Sequence, residues 1–193
     1  LIRRIYAPDV AVLPIGDQNL TKDLAIGLLT SQTDAEKIKV QHGIARTELV
    51  HGHQMVEVPS VGDRPPRQFT RRDIAEILEP RVEEMFDLVK REIVRAGYEG
   101  MLGAGVVITG GNSLLEGMPD AAERGLNLPA RRGMPTGIGG LRDIVSNPMH
   151  ATGVGLLLHA RQHADNLEAA GIRHGKGLGK VFDRMRSWMF EFF

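Results

Sequence analysis

The chain has no cysteine, which excludes a disulfide scaffold, a thiolate metal site and a cysteine nucleophile. It has no excess of either charge: 24 Lys+Arg stand against 24 Asp+Glu, so it lacks the basic surplus that a polyanion-binding module needs. No apolar run approaches the ~18 residues of a spanning helix. The sequence starts Leu1-Ile-Arg-Arg, without Met or a leader-like apolar run, and this start reads as lying inside a larger protein. Aromatics are scarce, at 5% of 193 residues, and unevenly placed. Five of the nine (Phe182, Trp188, Phe190, Phe192 and Phe193) fall in the last twelve residues. The core must therefore be built from aliphatic residues and methionine.

What is present is 42% hydrophobic and 25% charged, an ordinary soluble composition long enough for one domain or two small ones. Residues 5–15 read as a strand, with Pro8 and Pro14 near its ends. Residues 20–42 read as helix in two pieces, broken around Thr30–Thr33 and stopped by Gly43. A β-like, loop-rich stretch covers 44–69. Thr70 then caps a helical region to Gly97, with Asp73 in the capping-box position. Pro80 is expected to break or kink that region, with one helix to about Glu79 and another from Pro80 to Ala96, because proline removes a backbone donor and crowds the preceding turn. Val106-Val-Ile108 predicts a strand buried on both faces, and a further strand lies near 128–132. Asn147-Pro148 opens a helix to about His163, and the glycine-rich residues 165–179 read as a linker.

Three segments carry chemistry. In Val106-Val-Ile-Thr-Gly-Gly-Asn-Ser-Leu-Leu-Glu116 a strand ends in two glycines and enters a helix. Ser113 and Glu116 have capping-box spacing, and Gly110-Gly111 lets a flat ligand approach bare backbone. The alternative is a plain strand-to-helix turn. In the helix before Gly43, Glu36 and Lys39 project from one side; they can hydrogen-bond a ribose and an adenine, or form a surface ion pair. In the last fourteen residues Val181, Phe182, Met185, Trp188, Met189 and Phe192 form one helical stripe opposite Lys180, Asp183, Arg184, Arg186, Ser187 and Glu191. That pattern suits a bilayer interface, or else a helix docked on its own core. A modest basic excess after residue 160 favours an anionic surface. His159 and His163 lack the glutamate and third ligand of a zinc site, so no metal site is expected from them.

Taken together, Val56-Glu-Val-Pro-Ser-Val-Gly-Asp-Arg-Pro-Pro-Arg67, Ala75-Glu-Ile-Leu-Glu-Pro-Arg81, Ala104-Gly-Val-Val-Ile-Thr-Gly-Gly111, Ala151-Thr-Gly-Val-Gly-Leu-Leu157 and Val181-Phe-Asp-Arg-Met-Arg-Ser-Trp188 resemble the FtsA family of bacterial cell-division proteins, within the actin-like ATPase superfamily. The resemblance implies an α/β, actin-like (ribonuclease H-like) lobe. Subdomain IIA would take residues 1–20 and 98–164, and subdomain IIB 21–97. A linker over 165–179 and a membrane-targeting helix over 180–193 would follow. It also implies an adaptor that binds ATP with Mg²⁺, polymerises with itself, and tethers FtsZ filaments to the inner membrane. Its place would be the cytoplasmic face at the division septum, among other divisome proteins.

By that resemblance the adenosine site falls on Glu36, Lys39, Gly110, Gly111, Asn112 and Ser113, the FtsZ-tail site on Arg81 and Glu84, and a self-interaction loop on Arg67. The phosphate loops and Mg²⁺ ligands of the superfamily find no match in this sequence, which predicts weak nucleotide binding and no turnover by this chain alone. At Ile15-Gly16-Asp17 one glycine stands where the family usually has two small residues. A sugar kinase or a chaperone-type ATPase of the same superfamily is the alternative reading.

Overall fold

The computed structural model describes residues 10–62, 64–137 and 145–169, with side chains to 161. The membrane stripe (Val181, Phe182, Met185, Trp188, Met189, Phe192) lies outside the described residues, as does the segment from 170 onward. Residues 10–15 carry no strand, and Val10 and Val12 are exposed, so the described part of the expected first strand is irregular chain.

Helix α1 (Asp17–Gly27) starts where the Asn19 side chain turns back to accept the Gly16 N–H at 3.0 Å. Helix α2 (Gln32–His42) starts at Ser31, whose hydroxyl accepts the Asp34 N–H at 3.1 Å, and ends at Gly43. Strands β1 (Met55–Val58) and β2 (Arg67–Thr70) pair antiparallel, with Met55 opposite Thr70 and Val58 opposite Arg67. Helix α3 (Arg71–Arg95) follows directly. Its Thr70–Asp73 capping box is complete, each side chain accepting the other residue's backbone N–H. The far end closes through bonds from the Gly97 N–H to Val94 and from the Tyr98 N–H to Ile93.

Pro80 does not divide α3, which runs through it as one helix. The proline is on the exposed face, so the Glu76 carbonyl it leaves without a donor can turn to water. On the opposite face Ile74, Leu78, Val82 and Phe86 stay buried across the break, and their packing outweighs the missing bond.

Strand β3 (Val106–Ile108) and strand β4 (Ala130–Arg132) pair in parallel, Val106 opposite Ala130 and Ile108 opposite Arg132. Helix α4 (Met118–Leu126) supplies the crossover that a parallel pair requires. The expected burial of β3 on both faces is corrected: Val107 is 53% exposed, because among the described residues the sheet has only these two strands and nothing covers that face. Asn147 caps a 3-10 turn (Pro148–His150) by accepting the Met149 N–H, and helix α5 (Ala151–Ala169) continues from it. That helix extends into the first residues read as linker. None of the described helices is long and apolar enough to cross a membrane.

One hydrophobic cluster joins these elements: Leu20 and Leu24 of α1 with Leu28 just after it, Ile38 of α2, Val56 and Val58 of β1, the inner face of α3, and Met118, Ala122 and Leu126 of α4. Its buried members are aliphatic or methionine apart from Phe86, and Phe69 packs against it partly buried. Each fully buried leucine contributes about 2 kcal/mol relative to exposure. The boundary expected after residue 20 falls inside α1, and Phe86 packs directly on Gly125 across the two expected subdomains.

Candidate functional site

The strand-to-helix turn after β3 is braced from several sides. Gly110 has φ +90°, a conformation open to glycine, and its N–H donates to the Pro148 carbonyl at 3.1 Å. The Thr109 hydroxyl donates to the Gly133 carbonyl at 3.0 Å, and Arg132 Nε donates to the Ser113 carbonyl at 2.5 Å. The outer side of the turn is open: a Cβ built at Gly110 or Gly111 meets no atom within 4 Å. Bare backbone therefore faces free space, as close approach by a planar ligand requires.

The expected Ser113–Glu116 capping box is absent. After Gly110 the chain makes only a 3-10 turn (Gly111–Leu114), and Gly117, at φ +74°, resets its direction before α4. The Ser113 hydroxyl instead donates to the Gly110 carbonyl at 2.7 Å, and Glu116 pairs with Arg71. Ser113 is buried and serves the turn from within.

Glu36 and Lys39 do project from one side of α2 and pair at 2.8 Å. They are not an isolated surface pair. Lys39 is 5% exposed and also donates to the Thr21 hydroxyl at 2.9 Å and to the Asp17 carboxylate. Thr21 in turn donates to Glu36 at 2.5 Å. Burial pushes the Glu36 carboxyl up, but hydrogen bonds from Lys39 and Thr21 and the Lys39 charge outweigh it and hold it below the ordinary glutamate value. Glu36 remains 44% exposed, so its carboxylate keeps a side open to a ligand.

Asp17 joins this network to the glycine turn. With the Asn112 amide oriented to match its neighbours, its nitrogen donates to the Asp17 carboxylate and its oxygen accepts the Asp17 N–H at 3.1 Å. The structure thus brings Glu36, Lys39 and Asn112 into one chain of contacts beside Gly110, Gly111 and Ser113. Asp17 and Thr21, which complete it, were not legible as site residues. The available signal was their i,i+4 spacing on α1, which puts both on one face.

Arg81 and Glu84 pair with each other on α3, on one outward side. Arg81 also grips Asp23 of α1 through Nε at 2.6 Å and Nη2 at 3.1 Å. The hydrogen bonds to Asp23 hold the guanidinium above its ordinary pKa. Arg67 donates to the Leu28 carbonyl and lies over the Phe69 ring, 5.3 Å from its centroid. It lines an open cleft of about 540 Å³ with Leu29, Val61, Arg64 and Pro65. Among the described residues no group of three or more His, Asp or Glu is placed to hold a metal ion.

Residues 3–155 match the family described as cell division protein FtsA. Relatives named cell division protein FtsA are 40% identical over 184 residues in Pseudomonas aeruginosa and 38% identical over 186 residues in Escherichia coli K12. The alignments cover 93% and 92% of this chain and 44% of each relative, so the chain spans less than half the length of the curated relatives it matches. Among solved structures, MreB5 of Spiroplasma citri bound to ADP superposes with a TM-score of 0.59 at 15% identity, over 78% of this chain and 46% of that one. The AMPPNP-bound form of the same protein gives 0.58. The architecture is therefore that of an actin-like lobe. With the family matched over most of its length, the chain belongs to the FtsA family of cell-division proteins.

Proposed function

We propose that this chain is the nucleoside-holding and partner-binding lobe of a division adaptor that tethers FtsZ filaments to the inner membrane at the septum. The observation that carries the reading is the contact chain joining the Glu36–Lys39 side of α2 to the Gly110–Ser113 turn within a chain of this family. An adenosine fits there: open backbone for a flat base, and a half-exposed carboxylate for ribose hydroxyls. Bound ATP would supply a cleavable phosphoanhydride. The described residues reach only the nucleoside end, and Mg²⁺ would go with the phosphates. Turnover is therefore not assigned to these side chains.

The FtsZ tail would dock at Arg81 and Glu84. A guanidinium has five N–H donors, of which Asp23 and Glu84 engage three, leaving two for a peptide carboxylate or carbonyl. Arg67 and the cleft beside it would serve self-association. The aromatic stripe of residues 181–192 would lie in the bilayer interface, its basic residues on anionic lipid.

The test is a bridging assay. A fluorescent FtsZ C-terminal peptide is sedimented with anionic vesicles, with and without the chain. The chain should carry peptide into the pellet. Deleting 180–193 should leave both in the supernatant, and Arg81→Glu should leave the peptide alone there. A peptide that stays in the supernatant beside the intact chain overturns the reading.

A further inference from the structure

Two of the residues assigned to the nucleoside have their polar groups already engaged. An ammonium has three N–H donors, and those of Lys39 go to Asp17, to Glu36 at 2.8 Å and to Thr21 at 2.9 Å. Both ends of the Asn112 amide go to Asp17. Asp17 is common to both sets. It is the first residue of α1, where the helix N-terminus favours a carboxylate, and it is 55% exposed.

We propose that Asp17 is a latch across the nucleoside slot: its carboxylate takes one N–H of Lys39 and one of the Asn112 amide, donors that a nucleoside would need, and it must swing into water before those donors can reach a ligand. The inference rests on the nucleotide reading above and adds an internal competitor to it. The swing is feasible because neither partner is stranded by it. Lys39 keeps Glu36 and Thr21, the Asn112 oxygen keeps the Asp17 backbone N–H, and the Asp17 side chain is already half in solvent. The closed latch lowers the apparent affinity by the fraction of time the slot stands open. The competitor is a side chain, so its effect can be removed by substitution.

The experiment titrates a fluorescent ATP analogue into the full 193-residue chain and its Asp17→Ala and Asp17→Asn variants. Thermal unfolding is run in parallel to confirm that each is folded. Asp17→Ala should bind about tenfold more tightly. Asp17→Asn keeps the size and the Asn112 contacts but loses the ion pair with Lys39, and should fall between. It carries the test alone if the alanine variant fails to fold. Adding Gly111→Val to Asp17→Ala should remove the gain, since its side chain enters the open side of the turn. Equal or weaker binding by both Asp17 variants overturns the latch and leaves the nucleotide reading standing; a gain that survives Gly111→Val does the same. Absence of binding by all of these chains overturns both.

Discussion

Arg81 of α3 grips Asp23 of α1 with two N–H donors, at 2.6 and 3.1 Å, across 58 residues of sequence. The pair fastens α3 to α1. Two-point arginine–carboxylate contacts are stronger than ordinary surface pairs because both hydrogen bonds form in one plane. Asp23→Ala should lower stability by about 1–2 kcal/mol, read as a shift in the urea midpoint. The double reversal Asp23→Arg with Arg81→Asp should recover part of the loss. A midpoint unchanged in Asp23→Ala would show that the contact does not fasten the helices.

Pro80 sits on the exposed face of a continuous helix, and the bond it deletes is one that alanine can make. Pro80→Ala restores the donor to the Glu76 carbonyl and removes the ring from the turn. The gain is reduced because alanine also frees the unfolded chain. Stability should rise by about 1 kcal/mol or more in urea unfolding. A loss would mean that the proline ring, rather than the restored hydrogen bond, suits the packing of Val82 and Phe86.

Gly105 and Gly111 lie on either side of β3 and should respond oppositely. A Cβ at Gly105 would collide with the Pro129 carbonyl oxygen, at a φ of +80°. Gly105→Ala should cost about 3 kcal/mol or more. Gly111 meets no atom within 4 Å, so Gly111→Ala should stay within about 0.5 kcal/mol of the parent. Its methyl would nonetheless stand on the open side of the turn, and nucleotide affinity should fall several-fold. Calorimetric unfolding and a nucleotide titration on both variants separate the two effects.

Glu36 and Glu79 should shape the acid limb of stability. Burial raises the Glu79 carboxyl, but the Thr47 hydroxyl and N–H and the charges of Arg124 and Arg46 outweigh it and hold it, like Glu36, below the ordinary 4.5. A carboxyl with a depressed folded pKa contributes stability that is fully present above its unfolded value. That contribution is lost as pH falls through the folded value. Stability should therefore decline below pH 4.5, and Glu36→Gln and Glu79→Gln should each flatten that decline. Urea midpoints taken from about pH 7 to about pH 3 check it. A parental slope in both variants would mean that other groups set the limb.

Much of the local structure was legible because its causes are local. The Thr70–Asp73 box, the stop at Gly97 and the Asn147 cap depend on neighbours within about five residues, and the fold reproduces them. Glu36 and Lys39 share a side because helical spacing requires it. The family, and with it the actin-like fold, was legible from the quoted motifs and is matched by the relatives. A break at Pro80 does not form, and a propensity argument does not foresee this because it does not weigh the apolar face opposite the ring. The Ser113–Glu116 box was misjudged because the pattern cannot tell a four-residue 3-10 turn from a helix start.

The amino-acid sequence alone determined the aliphatic character of the core, the element boundaries set by caps and glycines, and the placing of Glu36 and Lys39 on one side of α2. Only the tertiary structure decided how those residues are engaged. Lys39 is buried because α1 lies across it, and Asn112 is tied because α1 begins beside the glycine turn. Likewise, Arg81 is committed to a carboxylate 58 residues away. The physical reason is the reach of each interaction. Backbone capping acts over a few residues, whereas hydrogen bonds between side chains on different elements exist only once the apolar faces of α1, α2 and α3 have packed and brought them within about 3 Å.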